Sequence, residues 1–342
     1  MTATVPAPEA RPKRRRGWWP IAAAIALLIV VVASIAVGSN ELPLHTVAAA
    51  LFHYTGTPDE TVVVQLRIPR TVLGVLVGGA LGLAGALMQA LTRNPLADPG
   101  LLGVNSGASA AIVIAIGVLG VTSPTGYVWF GFAGAAIVSG AVYLLGTRGA
   151  GAATPVRLAL AGTAITAALT AFVSGALLLD PLAFDEFRFW DVGALAGRAY
   201  DVLALVAPFL AVGLVCALAS ARPLNALALG EDAGQALGVR VGRSRVLVMI
   251  AVTLLCGAAT AAVGPIVFVG LIVPHVARAL VGIDQRWVLP FSALLGAILL
   301  LGADVLGRVV LAPGELEVGV VTALVGAPVF IALVRRRRIA RL

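Results

Sequence analysis

Along this chain apolar residues neither alternate with polar ones nor keep to a single helical stripe. They run almost unbroken for about twenty residues at a time, and short polar segments separate the runs. Crossing a bilayer as a helix takes roughly 20 mostly apolar residues. Runs that are apolar on every side suit helices in lipid, because open strands would leave amides unpaired in hydrocarbon. The pattern predicts an all-α, polytopic membrane protein with about ten transmembrane helices. They lie near 18–38, 65–91, 100–119, 126–146, 155–179, 199–220, 243–263, 265–281, 287–307 and 316–334. The eighth, "GPIVFVGLIVPHVARALVG", is short and interrupted by Gly and Pro, and reads as partly re-entrant. The domain reading is a basic tail over 1–17, one transmembrane domain over 18–334 and a second basic tail over 335–342. The first apolar run is too long for a signal-peptide core and ends without a convincing cleavage site, so it reads as a membrane span.

Composition agrees. Of 342 residues 60% are hydrophobic and 12% charged, with a net charge of +8. The positive charge does not mark a nucleic-acid binder, because the basic residues cluster at the ends of apolar runs. Nineteen of the 24 Lys and Arg fall on the face that carries both tails. By the positive-inside rule that face is cytoplasmic, with both termini inside. The opposite face holds Arg67, Arg70, Arg188, Arg198 and Arg308, and its loops lean acidic. Cys216 and Cys256 sit inside apolar runs and read as small core residues. His275 has no second ligand at helical spacing, which favours a structural hydrogen bond over a metal. No cofactor or metal is expected. No GxxxxGK[ST] loop is present, so any ATPase is another chain.

One segment, about 225–240, turns polar on the tail-bearing side. Gly230 suits an N-cap, and Glu231 and Asp232 fall in the first turn, where the helix dipole favours negative charge. Ala233, Ala236 and Leu237 share a face, and Gly238 sits at the expected stop. This makes a helix over 231–237 that is too short to be stable alone. Elsewhere Gly74, Gly78 and Gly82 form a small-xxx-small face for internal packing. Asp98, in "RNPLADPG", is a candidate cap for the third span.

Three blocks together carry a resemblance: "RIPRTVLGVLVGGALGLAGALMQALTRNPLADPGLLGVNSGA" (67–108), the region 229–308 with "LGEDAGQALGVRVGRSR", "GPIVFVGLIVPHVAR" and "SALLGAILLLGADVLGR", and "PGELEVGVVTALVGAPVF" (313–330). They resemble the FecCD-type permeases, membrane subunits of bacterial importers for iron–siderophores, haem and cobalamin. Glu317 departs from the family's usual Pro. The resemblance implies a BtuC-like, type II ABC-importer permease in the cytoplasmic membrane. It pairs with a second permease subunit, cytoplasmic ATPase subunits and an extracytoplasmic substrate-binding protein. It assigns the polar insert (Gly230, Glu231, Asp232, Ala233, Ala236, Leu237, Gly238) to a coupling helix seated on the ATPase. Arg67, Arg70 and Arg308 become a docking set for carboxylates of the binding protein, in preference to interfacial snorkelling. The substrate class is a metal chelate, with iron–siderophore ahead of haem or cobalamin. The rival is an ion-driven secondary transporter, disfavoured by the lack of an intramembrane carboxylate chain. The fifth span, rich in Ala, Thr, Ser and Gly, suits a pathway lining.

Overall fold

The computed structural model describes residues 17–39, 42–121, 123–147, 155–198 and 200–335. Most of the two basic tails, Glu41 and Arg148 lie outside the described residues. The described chain is helical throughout, with no strand. The first span is α1 (Trp19–Ala36). Two short helices follow, α2 (Leu44–Phe52) and α3 (Pro58–Val62), then a π turn over Val63–Arg67 that leads without a break into α4 (Ile68–Thr92). The segment 39–64, between the first two expected spans, is therefore largely helical where it is described, and the second span starts earlier than residue 65. Thr57 and Glu60 form a reciprocal capping box that fixes this start.

A one-turn 3-10 helix (Pro99–Leu102) precedes α5 (Val104–Gly117). Then come α6 (Pro124–Thr147), α7 (Pro155–Leu179), α8 (Pro181–Asp191) and α9 (Tyr200–Ala219). The polar insert holds α10 (Ala221–Leu227) and α11 (Glu231–Ala236). The chain continues through α12 (Val241–Val263), α13 (Val269–Val281), α14 (Gln285–Val310) and α15 (Val318–Arg335). Seven of these are long and apolar enough to cross a membrane. α5, α13 and the apolar part of α15 are shorter. At 1.5 Å per residue, α13 spans only about 20 Å of a hydrocarbon core roughly 30 Å thick. It is preceded by irregular chain from Gly264 to Phe268, with Phe268 left-handed at φ +69°. Gly264, at φ +83°, caps α12 where the Trp190 carbonyl leaves no room for a Cβ.

The span containing α4 is the centre of the bundle. Of its apolar window 78% is buried, against 6% for α7. Glycine explains how α4 can be so enclosed. A Cβ on Gly78 would lie 2.5 Å from the Gly296 carbonyl, and one on Gly82 or Gly85 would overlap Ser292 or Gly270. Gly296 in turn faces the backbone of Gly78. Thus α4 meets α14 and α13 backbone to backbone, the geometry that small residues permit in membrane helices. Asp98 caps the 3-10 turn through the Gly100 amide (2.8 Å), and Gly103, not Asp98, is the N-cap of α5.

Candidate functional site

Two constellations stand at opposite ends of the bundle. The first gathers where α1 ends. Asp304 and Arg308 are one turn apart on α14, and both are buried, at 0% and 2% exposure. Arg308 donates Nη2 to Asp304 Oδ2 at 2.7 Å. Arg70, in the first turn of α4, donates Nη2 to Asp304 Oδ1 at 2.7 Å and Nε to Oδ2 at 3.1 Å. Its Nη1 reaches Glu315 Oε2 at 2.7 Å, and Ser39 donates to Glu315 Oε1 at 2.8 Å. One carboxylate thus lies between two guanidiniums, and a second ties in the loop before α15.

The last turn of α1 completes the cluster. A helix C-terminus leaves carbonyls without intrahelical partners and carries partial negative charge. Arg308 Nη1 donates to the carbonyls of Ser34 (2.9 Å) and Val37 (2.8 Å). Arg67 Nη1 donates to those of Ile35 (3.0 Å) and Ala36 (2.7 Å). The Ser34 hydroxyl links Arg308 to Thr71. Three arginines therefore face two carboxylates and a helix end.

The docking expectation named Arg67, Arg70 and Arg308, and the structure brings all three into this cluster: Arg67 and Arg308 are buried, and Arg70 keeps a small exposed part. The sequence showed the i, i+4 spacing of Asp304 and Arg308. It gave no signal that Arg70, more than two hundred residues away, closes the same cluster.

The second constellation is the polar insert, at the end where α1 begins. α10 is anchored to the start of α14: Asn225 donates to Asp284 (2.7 Å) and accepts from the Gln285 amide (2.8 Å). Gly230, at φ +116°, turns the chain into α11. Gly234 packs on Leu227, so the inward side of α11 is its glycine. Ala236 and Leu237 face outward, and Leu237 is 65% exposed. α11 stops at Ala236, one residue earlier than expected, with Leu237 as C-cap. Gly238 N donates to Gln235 O (2.8 Å) and Val239 N to Gly234 O (3.0 Å), a Schellman closure. Glu231 contacts the bundle: Arg245 of α12 donates to it at 2.6 Å, and Arg93, in the left-handed cap of α4, stands 3.8 Å away. Nearby, His275 bonds the Pro95 carbonyl at 2.8 Å, the structural role expected of it. Gln89 links Arg278 to the Leu271 carbonyl. Neither Gln89 nor Arg278 stood out in the sequence, since each lies alone in an apolar run.

Residues 26–336 match the FecCD transport family. The chain belongs to that family. It is 50% identical over 312 residues to the ferric enterobactin transport system permease protein FepD of Escherichia coli (strain K12), covering 91% of this chain and 93% of that one. The siderophore transport system permease protein YfiZ of Bacillus subtilis (strain 168) is 41% identical over 310 residues, with 91% and 93% coverage. The hemin transport system permease protein HmuU of Yersinia pestis is 36% identical over 323 residues, with 92% and 96% coverage. A solved metal-chelate type ABC transporter in an inward-facing conformation superposes with a TM-score of 0.81 at 28% identity, over 92% of this chain and 97% of that one. The FecCD assignment and the all-helical membrane fold read from the sequence both hold.

Two outcomes follow from the buried cluster. Asp304→Asn removes the charge that Arg70 and Arg308 share, and breaking a buried pair typically costs about 3–5 kcal/mol. Thermal unfolding in detergent should show a large loss for this variant and a smaller one for Glu315→Gln, whose partner Arg70 keeps Asp304. The second concerns pH. Burial alone would raise the Glu315 pKa, but the bonds and charge of Arg70 and the Ser39 hydroxyl outweigh it and hold the group below its ordinary value. A depressed folded pKa means stabilisation that is full above the ordinary glutamate value and is lost as pH falls through the folded one. Hydrogen exchange across 311–317, corrected for intrinsic rates, should rise on acidification in the native chain. In Glu315→Gln the loop should be loose at neutral pH and show no such step.

Proposed function

We propose that this chain is the membrane permease subunit of an ATP-driven importer, and that its cargo is a ferric siderophore. The observation that carries the reading is the family match across nearly the whole chain, joined to half identity with a ferric enterobactin permease. Haem stays second, on the weaker likeness to a hemin permease.

The polar platform of α10 and α11 is the surface that fits a cytoplasmic ATPase. Asn225 and Glu231 fix it to α14, α12 and the end of α4, so a push on α11 reaches the central span without a slack loop between. Sidedness rests on charge. Arg93, Arg222, Arg240, Arg243, Arg245, Arg278 and Arg286 gather at the α11 end, whereas three of the five arginines at the other end are inside the buried cluster. The positive-inside rule then puts α11 in the cytoplasm, with the binding protein and the chelate arriving at the opposite face.

The fifth span supplies the pathway in this reading. Thr163, Ala167, Thr170 and Ser174 are exposed on α7 at helical spacing. A small, mildly polar face of this kind suits a helix that meets a second permease subunit across a wet passage. It offers no strong ligand, so a chelate would pass without being trapped. A proton-coupled carrier fits less well, because Asp304, the buried acid of α14, is already paired with Arg70 and Arg308.

Two results test the proposal. A strain deleted for this chain should lose uptake of a radiolabelled ferric siderophore and regain it on complementation. Unchanged uptake of every ferric siderophore tried, with loss of haem uptake, would move the cargo to haem. In the complemented strain, Ala236→Arg should leave the permease folded in the membrane and abolish uptake, because a long cation replaces the methyl of the exposed face. Full uptake with that variant would reduce α11 to a solvated turn.

A further inference from the structure

One apolar cavity belongs to neither constellation. It is a crevice of about 430 Å³ between α1 and α9, with α4 as its floor. Leu27 forms one wall, and Ala207, Ala211 and Leu214 form the other. Leu255, Ala293 and Ala297 close its base, and every lining side chain is Gly, Ala, Val or Leu. Its volume falls in the range of about 300–1,000 Å³ typical of small-ligand pockets.

The crevice lies at mid-height in the bundle. Leu27 is central in α1, Val75 and Gly79 in α4, Ala211 in α9 and Ala293 in α14. It is also where the central helix reaches the surface. Val72, Val75, Leu76 and Gly79 follow each other at i, i+3, i+4 and i+7, and they are the exposed or half-buried positions of an otherwise enclosed segment. Gly79 differs from its neighbours in one respect. A Cβ on Gly78 or Gly82 would collide with α14, but the nearest atom to a Cβ on Gly79 is 3.5 Å away, an ordinary contact. Helix packing therefore does not require glycine there, and its missing side chain widens the crevice.

Water has no polar partner in such a slot, and an empty slot would leave its walls without dispersion contacts. We propose that a membrane phospholipid inserts one acyl chain into this crevice and is held there as a stoichiometric, bound lipid, distinct from the exchanging layer around the protein. The match is one of depth and chemistry: hydrocarbon is what surrounds the crevice at that height, and a narrow, wholly apolar groove takes a methylene chain. The proposal is independent of the transported substrate.

The full chain, reconstituted in nanodiscs containing a phospholipid with a diazirine in the middle of one acyl chain, tests it by photolabelling and peptide mapping. Labelling should concentrate on the α4 segment around Val75–Gly79 and on Ala211–Leu214. Gly79→Leu and Ala211→Phe fill the slot from its floor and its wall, and each should cut that labelling by about tenfold, the equivalent of losing two buried methylenes. Gly140→Leu is the control, because a Cβ at that exposed position of α6 meets nothing within 4 Å. Its labelling should match the native chain. Native mass spectrometry in mild detergent should show one retained phospholipid per native chain and none in the filled variants. Label spread evenly over the exposed faces of α1, α6 and α9, or equal labelling in native and both filled variants, would overturn the proposal. So would a crevice shielded from label by a second copy of the chain. Two separate variants keep the test decisive if one of them fails to fold.

Discussion

A carboxylate taken wholly out of water has to be met by charge, and Asp304 is met twice. Arg70 brings α4 to it and Arg308 belongs to its own helix. Through these two arginines the loop before α15 and the last carbonyls of α1 are drawn to the same point. Three stretches of the chain, the end of α1, the start of α4 and the end of α14 with its following loop, are thereby fixed at one end of the bundle. Desolvating such charges costs several kcal/mol each, so the cluster holds only because every member is answered. Its arrangement also specifies one packing of α1 against α4 and α14, which apolar surfaces alone would leave free to slide.

The same central helix carries the rest of the structure. α4 begins in the charged cluster, passes the glycine seam with α14 and α13, and ends at Arg93 beside the Glu231 of α11. It is rigid where glycine lets backbones touch, and a rigid element with contacts at both ends is what a transport subunit needs if events on one face are to be felt on the other. The shorter α13, with its irregular lead-in at Gly264–Phe268, packs against α4 through Gly270 and Gly85. It also fixes the turn after α4 through His275 and Pro95. Of that irregular stretch, Gly264 and Ile266 are buried in the protein, and Val267 is exposed.

How much of this was legible in the sequence depended on the range of the interaction. The spans were legible because an all-round apolar run of twenty residues has few other uses. α11 was legible because its determinants are local: an N-terminal glycine, two acids in the first turn and a glycine at the stop. Gly78 and Gly82 announced a close contact, yet nothing along the chain named Gly296 and Ser292 as the surfaces met. The arginines were the least legible. Arg67, Arg70 and Arg308 were placed on one face because they lie near span ends, and the partners that gather them into one cluster are tertiary. The i, i+4 spacing of Asp304 and Arg308 was visible, and the C-terminal carbonyls of α1 left no mark in the sequence. Helical structure over 39–64 fell outside the expected spans for a different reason: α2 and α3 are far shorter than a membrane span, and a π turn then joins α3, opened by Pro58, to α4.

Under the proposed function, transport through this chain is driven by ATP hydrolysed on a partner, with no ion gradient involved. The most direct measurement is ferric siderophore uptake into proteoliposomes containing the permease, its ATPase and its binding protein, with ATP on the ATPase side and with proton and sodium gradients collapsed by ionophores. The account predicts uptake that requires ATP and all three components and is unaffected by the ionophores. Uptake by the permease alone, driven by an imposed ion gradient and indifferent to ATP, would contradict it.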